Sequence, residues 1–147
     1  MRLLRYSLLV LSVCLAGCMA NRTRADVSLQ IQVFGIEMYS GVDYREIGGV
    51  KAMEEPCLRG YERSFDPLEI TIGYGLDKNI RKITTRNPAT SVFGISPGIP
   101  AEEGERLARQ TGLQEVAISK FQGMGINLSL LVDGKGKIFG VTIESRD

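Results

Sequence analysis

A chain of 147 residues, 44% hydrophobic and 24% charged, has the composition of one or two small globular domains and not of a disordered or multi-pass membrane chain. With 18 Lys and Arg against 17 Asp and Glu the net charge is +1, which excludes the basic excess of a nucleic-acid binder, so no nucleic-acid partner is expected. His and Trp are both absent, and with His go the usual general base at neutral pH and the commonest metal ligand.

Arg2 and Arg5 precede an apolar run over residues 8–16, interrupted only by Ser12. This is the layout of a secretory leader, and it is too short for a spanning helix, which needs about 20 apolar residues. The run closes on Leu15-Ala16-Gly17-Cys18, which resembles the lipobox of bacterial lipoproteins. That resemblance implies cleavage before Cys18, a diacylglyceryl thioether on its sulfur and a blocked amino group. Two or more acyl chains hold a protein stably where one does not, so the implied partner is a membrane, through Cys18. By the family's sorting pattern Met19, not being Asp, points to an outer-membrane anchor facing the periplasm, with the inner membrane and the cell surface left open.

Loss of residues 1–17 removes Arg2 and Arg5 and leaves 16 basic residues against 17 acidic ones. Cys14 leaves with them, and Cys18 becomes a thioether. Cys57 is then the one free thiol, with no disulfide available, and as a small hydrophobe it is expected to be buried.

After a lipidated tether, residues 18–26, the segment 27–33 alternates apolar and polar residues with the period of a half-buried strand. It runs into Val33-Phe34-Gly35-Ile36, four letters that return at Val92-Phe93-Gly94-Ile95, so a first unit is read over 27–90 and a second over 91–147. Asp43 with Glu46 reads as an acidic capping box, and a first helix is expected to stop before Pro56. Pro100 with Glu102, Glu103 and Glu105 opens a second helix that ends at Gly112. Leu68, Ile70, Ile72 and Tyr74 alternate with polar residues or glycine, and residues 76–79 turn the chain into a returning strand over 80–85. Met124 to Val132 repeat the pattern, Asp133-Gly134-Lys135-Gly136 turns it, and Phe139, Val141 and Ile143 return. A further strand is expected before each hairpin, around 58–65 and 116–121. The fold class that follows is α+β, with two related helix-plus-antiparallel-hairpin units forming one or two antiparallel sheets.

The second unit, from Phe93 to Ile143 with its Gly-Ile-x-x-Gly-Ile and Asp-Gly-Lys-Gly-Lys-Ile runs, resembles the small lipoprotein of the outer-membrane β-barrel assembly machine. In tandem, such units also resemble the β-lactamase inhibitor protein, which packs helical pairs on one curved sheet. The chain departs from these patterns at Pro100 and Gly104, and fold analogy carries further than function.

The carboxylates of Glu54-Glu55 and of Glu102-Glu103-Glu105 fit helix ends, so neither metal nor other cofactor is expected. The glycine pairs lack the Lys-Ser/Thr of a phosphate loop. Tyr39, Tyr44 and Tyr61, with Arg59, Arg63 and Arg81, are the residue types enriched at interfaces and form the candidate binding set. With Lys82 and Arg86 the arginines make either a solvated sheet face or a patch for an acidic protein or anionic lipid headgroups. The reading reached is a membrane-anchored, non-catalytic envelope lipoprotein that binds a protein or supports assembly. An envelope-polymer hydrolase with paired carboxylates and an inhibitor of a foreign enzyme stand as alternatives.

Overall fold

The computed structural model describes residues 34–146. The lipobox, Cys18, the tether and the strand expected over 27–33 lie outside them. The described chain is mostly β, and the expected α+β arrangement of two helix-plus-hairpin units is corrected by it. The strands run as β1 (Glu46–Ile47), β2 (Val50–Lys51), β3 (Met53–Cys57), β4 (Gly60–Phe65), β5 (Ile70–Gly75) and β6 (Ile80–Thr85). A helix, α1 (Ala101–Gln110), precedes β7 (Gln114–Ala117), β8 (Lys120–Gly123), β9 (Ile126–Val132) and β10 (Ile138–Ser145). Eight strands make one antiparallel sheet in the order β3-β4-β5-β6-β10-β9-β8-β7, and β1 and β2 make a separate hairpin.

The helix expected after Asp43 is absent for a local reason. Gly48 and Gly49 both take positive φ, 55° and 81°, and close a two-residue turn in which Ile47 pairs with Val50. Paired glycines with that backbone are the signal of a tight hairpin, and glycine is poor inside a helix. Asp43 caps nothing; it takes hydrogen bonds from Arg45 and Arg63 instead. In the second half the helix does form. Pro100 stands at its N-cap, Glu102 and Glu103 occupy its first turn, and Gly112 with φ 89° follows its end.

Each half contributes a four-strand meander, and the two meet at β6 and β10. The hairpins share a register: Ile72 pairs with Ile83 and Tyr74 with Ile80, as Leu130 pairs with Val141 and Val132 with Ile138. At the junction Thr84 lies opposite Thr142, residues 58 apart, with their hydroxyls 3.0 Å from each other. A local twofold relation between the meanders therefore passes through this threonine pair. Both Val-Phe-Gly-Ile segments place their second and third residues at positive φ, Phe34 and Gly35 at 49° and 76°, Phe93 and Gly94 at 54° and 77°. Ile36 and Ile95 are fully buried behind them.

One face of the sheet carries the core, because alternate residues of a strand share a face. A continuous row of registered pairs, Ile72-Ile83-Ile143-Leu128-Phe121, crosses five strands and is buried throughout. Each such side chain contributes about 1.5–3 kcal/mol on burial. Helix α1 packs against β9 and β7 over the second half. Gly104 lets it come close, since a Cβ there would lie 2.3 Å from the Ile138 Cδ1. Over the first half the same face is covered by β1, β2 and the chain around 36–45, as the burial of Ile36 and Met38 and the half-burial of Tyr44, Ile47 and Val50 record.

Gly60 has the least freedom for substitution. Its φ is 144°, and a Cβ would lie 1.9 Å from the backbone oxygen of Tyr74. Gly60→Ala is expected to lower stability by at least about 2 kcal/mol, because neither strand backbone can yield cheaply. Gly134→Ala, in the β9–β10 turn with nothing within 4 Å, should be near neutral. Urea unfolding of the two variants against the parent checks the contrast.

Candidate functional site

On the core face β4 presents Arg63 in register with Ile72, an apolar neighbour, and the arginine is 4% exposed. A guanidinium in such a place must be paired and hydrogen-bonded. Its Nε and Nη2 donate to the Glu54 carboxylate at 2.9 and 2.7 Å. Its Nη1 donates to Asp43 and to the Tyr44 carbonyl, the latter at 3.0 Å. Beside it the Tyr61 and Tyr74 rings stack at 4.7 Å and 11°, and the guanidinium carbon lies 5.0 and 5.3 Å from their centroids. The Tyr74 hydroxyl accepts from the Tyr44 N–H and donates to the Val42 carbonyl. The cluster thus pins residues 42–44 onto β3, β4 and β5.

Burial works against the Arg63 charge, but the hydrogen bonds and charges of Asp43 and Glu54 outweigh it and raise its pKa above the ordinary arginine value. Asp43 is held below the usual 3.8, first by the hydrogen bond from Arg45 and then by that from Arg63. Burial pushes the Tyr74 hydroxyl up. On the β5–β6 turn Asp77 is drawn down to about 2, by the Arg81 guanidinium at 2.6 Å and then by the N–H groups of Asn79.

The other face of the sheet is half-buried to exposed, and no described element covers it. Registered pairs align Ser64, Thr71, Thr84, Thr142 and Ser129 across β4, β5, β6, β10 and β9. One row nearer the β5–β6 turn, Glu62, Gly73, Lys82 and Glu144 lie in line. Gly73 and Gly75, two apart on β5, leave the turn-side part of that strand's open face without side chains, and a trough of about 580 Å³ opens over them. Cys57, Arg59, Leu76 and Glu144 stand on its walls, and Lys82 bridges it to Glu62 at 3.1 Å.

The structure divides the six candidate binding residues. Arg63, Tyr44 and Tyr61 belong to the buried cluster on the core face. Tyr39 fastens the chain before it to the sheet: its hydroxyl donates to the Gly125 carbonyl at 3.1 Å, and its N–H to the Ile80 carbonyl. Arg59 and Arg81 reach the trough, but Arg81 is tied to Asp77 and to the Ser145 hydroxyl. Arg86, at the far end of β6, lies over the Phe139 ring. Cys18 lies outside the described residues. Cys57 is exposed and faces the trough, which corrects the expectation of burial; β3 is an edge strand and Cys57 is on its uncovered side.

The trough floor, Leu58, Leu76, Lys78 and Arg146 stand outside the candidate binding set. Glycine spacing of two on a strand was a usable signal for the trough. Exposure of two leucines was not, since an isolated Leu reads as core. Among the described residues no three His, Cys, Asp or Glu side chains gather as metal ligands. No helix there is long and apolar enough to cross a membrane. No family model matches the chain, and no curated protein or solved structure matches it.

Carboxylates with depressed pKa values stabilise the fold above their unfolded-state pKa and lose that contribution as pH falls through the folded value. For Asp77 that window runs from about 4 down to about 2. The unfolding temperature is expected to fall across it, and Asp77→Asn should flatten part of the slope. Arg63→Gln is expected to cost about 3 kcal/mol at neutral pH, mainly by unpinning residues 42–44. A variant within 0.5 kcal/mol of the parent in urea would show the cluster to be dispensable.

Proposed function

We propose that this chain is a lipid-anchored, non-catalytic protein of the bacterial cell envelope that binds a protein partner on the uncovered face of its sheet. The lipobox-like Leu15-Ala16-Gly17-Cys18 supports the anchor, with Cys18 as the acylated residue and the outer membrane as its place. The observation that carries the binding role is the row Ser64, Thr71, Thr84, Thr142 and Ser129, five hydroxyl residues on adjacent strands of one open face. Only Thr84 and Thr142 bond each other; the other three have no partner for their hydroxyls among the described residues. Short hydroxyl side chains donate and accept with little rotamer entropy to lose, and a rigid sheet presents them already aligned. Eight strands of about six residues offer roughly 750 Å², near the share of one partner in a standard interface.

Two measurements test this reading. Intact mass of the mature chain is expected to show acyl chains on Cys18, and Cys18→Ser should carry none and either accumulate with its leader uncleaved or be released from the membrane fraction by high salt, which the lipidated chain resists. A photo-cross-linking residue at Thr71 or Ser129 is expected to give one discrete protein adduct in intact envelopes. The same group at Glu102, on the outside of α1, should give none. Equal adducts from both faces, or none from the open one, would sink the binding role.

A further inference from the structure

The strand directions bring two turns to one end of the sheet. Leu58, in the β3–β4 turn, is 103% exposed, and Leu76, in the β5–β6 turn, is 84% exposed. Cys57 pairs with Gly60 and Gly60 with Gly75, so the two turns are neighbours and the leucines flank the open end of the trough. Two aliphatic side chains left largely in water on adjacent tips bury little against this fold.

Cations predominate around them. Arg59 follows Leu58, and Lys78 lies in the same turn as Leu76. Arg146 ends β10 at this end too, its N–H donating to the Gly125 carbonyl in the β8–β9 turn. None of the three side chains has an acidic partner among the described residues. Glu55 sits further back within β3, Glu144 shares the surface beside Leu58 and Arg59, and the acid on the β5–β6 tip, Asp77, is engaged by Arg81. At the opposite end of the sheet the exposed aliphatics lie at one turn, Ile118 with Val116, 54% exposed, two residues before it. Ile118, in the β7–β8 turn, is 89% exposed, but the β9–β10 turn at that end is wholly polar, with Asp133, Lys135 and Lys137.

We propose that the end of the sheet bearing Leu58 and Leu76 docks on an anionic lipid bilayer. The two leucines enter the boundary of the acyl region, and Arg59, Lys78 and Arg146 lie level with the phosphates. Paired apolar tips ringed by unpaired cations match both properties of that surface, its apolar depth and its negative charge. Fifteen residues separate Cys18 from Phe34, enough to span about 50 Å when extended, so an anchor at Cys18 leaves these tips within reach of the membrane. The inference rests on the lipid-anchor reading only for the nearness of a bilayer; the tips themselves are read from the fold. In this orientation the strands stand off the membrane, and the hydroxyl row stays accessible above it.

The absence of Trp makes the test direct, because any introduced indole is the sole reporter. Leu58→Trp, Leu76→Trp and Ile118→Trp are placed in the full lipidated chain. Each is reconstituted in phosphatidylcholine vesicles containing about one-third phosphatidylserine, with brominated acyl chains as quencher. Emission of the Leu58 and Leu76 variants is expected to shift to the blue and be quenched, and that of the Ile118 variant to stay as in water. In parallel the Cys18→Ser chain should bind these vesicles and not pure phosphatidylcholine. Arg59→Gln and Lys78→Gln should each weaken that binding about fivefold. Unquenched tips in a chain that its lipid holds on the vesicle would overturn the docking and leave the anchor standing. A mature Cys18 without lipid would overturn the anchor, while the Cys18→Ser chain on anionic vesicles still decides the docking. Vesicle binding indifferent to Arg59→Gln and Lys78→Gln, together with a protein cross-linked at Leu58 in intact envelopes, would assign the tips to an acidic protein and overturn the proposal.

Discussion

The first half of this molecule depends on one buried guanidinium. Arg63 occupies a core position of β4, where water is excluded and an apolar side chain would ordinarily sit beside Ile72. Its charge is tolerable there only because Glu54 from the edge strand and Asp43 from the preceding segment both reach it, and the Tyr44 carbonyl takes a further N–H. Those acceptors come from chain segments with little other means of holding their place. Residues 42–44 have no regular structure, and β3 is five residues long, exposed along its length, and contains Pro56. An edge strand with proline pairs weakly by itself. Arg63 converts the desolvation of one cation into the attachment of both segments, so its removal unfastens structure as well as losing hydrogen bonds.

The two halves thereby solve one packing problem in two ways. Their meanders share a register about the Thr84 and Thr142 pair, and each presents an apolar face too wide to leave in water. The second half lays α1 on that face, fitted closely by Gly104 and clasped to the edge strand by Arg109 and Glu115 at 2.6 Å. The first half has Gly48 and Gly49 where a helix would need good formers, and it covers the face with a small hairpin and the Arg63 cluster. Side chains on the uncovered face diverge as well. Gly73 and Gly75 leave a trough on β5, whereas Leu131 half-fills the corresponding stretch of β9 and closes against Gly140.

What the sequence made legible follows the range of the interactions. Strands β5, β6, β9 and β10 were readable from period-two alternation, and the β9–β10 turn from Asp-Gly, because both signals lie within a few residues. Helix α1 was readable from Pro100, its glutamates and Gly112. The failure at 43–55 came from giving Asp43 and Glu46 the weight of a helix start when Gly48-Gly49 carried the stronger local signal. Nothing local tells that Asp43 answers to Arg63, twenty residues on, with three strands between them in the chain. The candidate set suffered for the same reason. Tyr44, Tyr61 and Arg63 have the composition of an interface because they are one, between segments of the same chain. Cys57 looked apolar enough to bury, but its side depends on the register of an edge strand, which a one-residue shift reverses.

Strand direction then decides what the remaining surface can do. In an antiparallel sheet alternate turns share an end, so the β3–β4 and β5–β6 turns had to emerge together once β3 to β6 formed a meander. Side-chain alternation separately sends Arg63 inward and Ser64 outward from consecutive positions. The exposed leucines and unpaired cations are therefore gathered at an end, and the hydroxyl row is spread over a face, by two independent properties of the same strands. The proposed membrane contact at the end and the proposed partner contact on the face would need no hinge between them. Their geometry is set by the rigidity of the sheet, and that rigidity returns to the segments that Arg63 holds in place along the first-half edge.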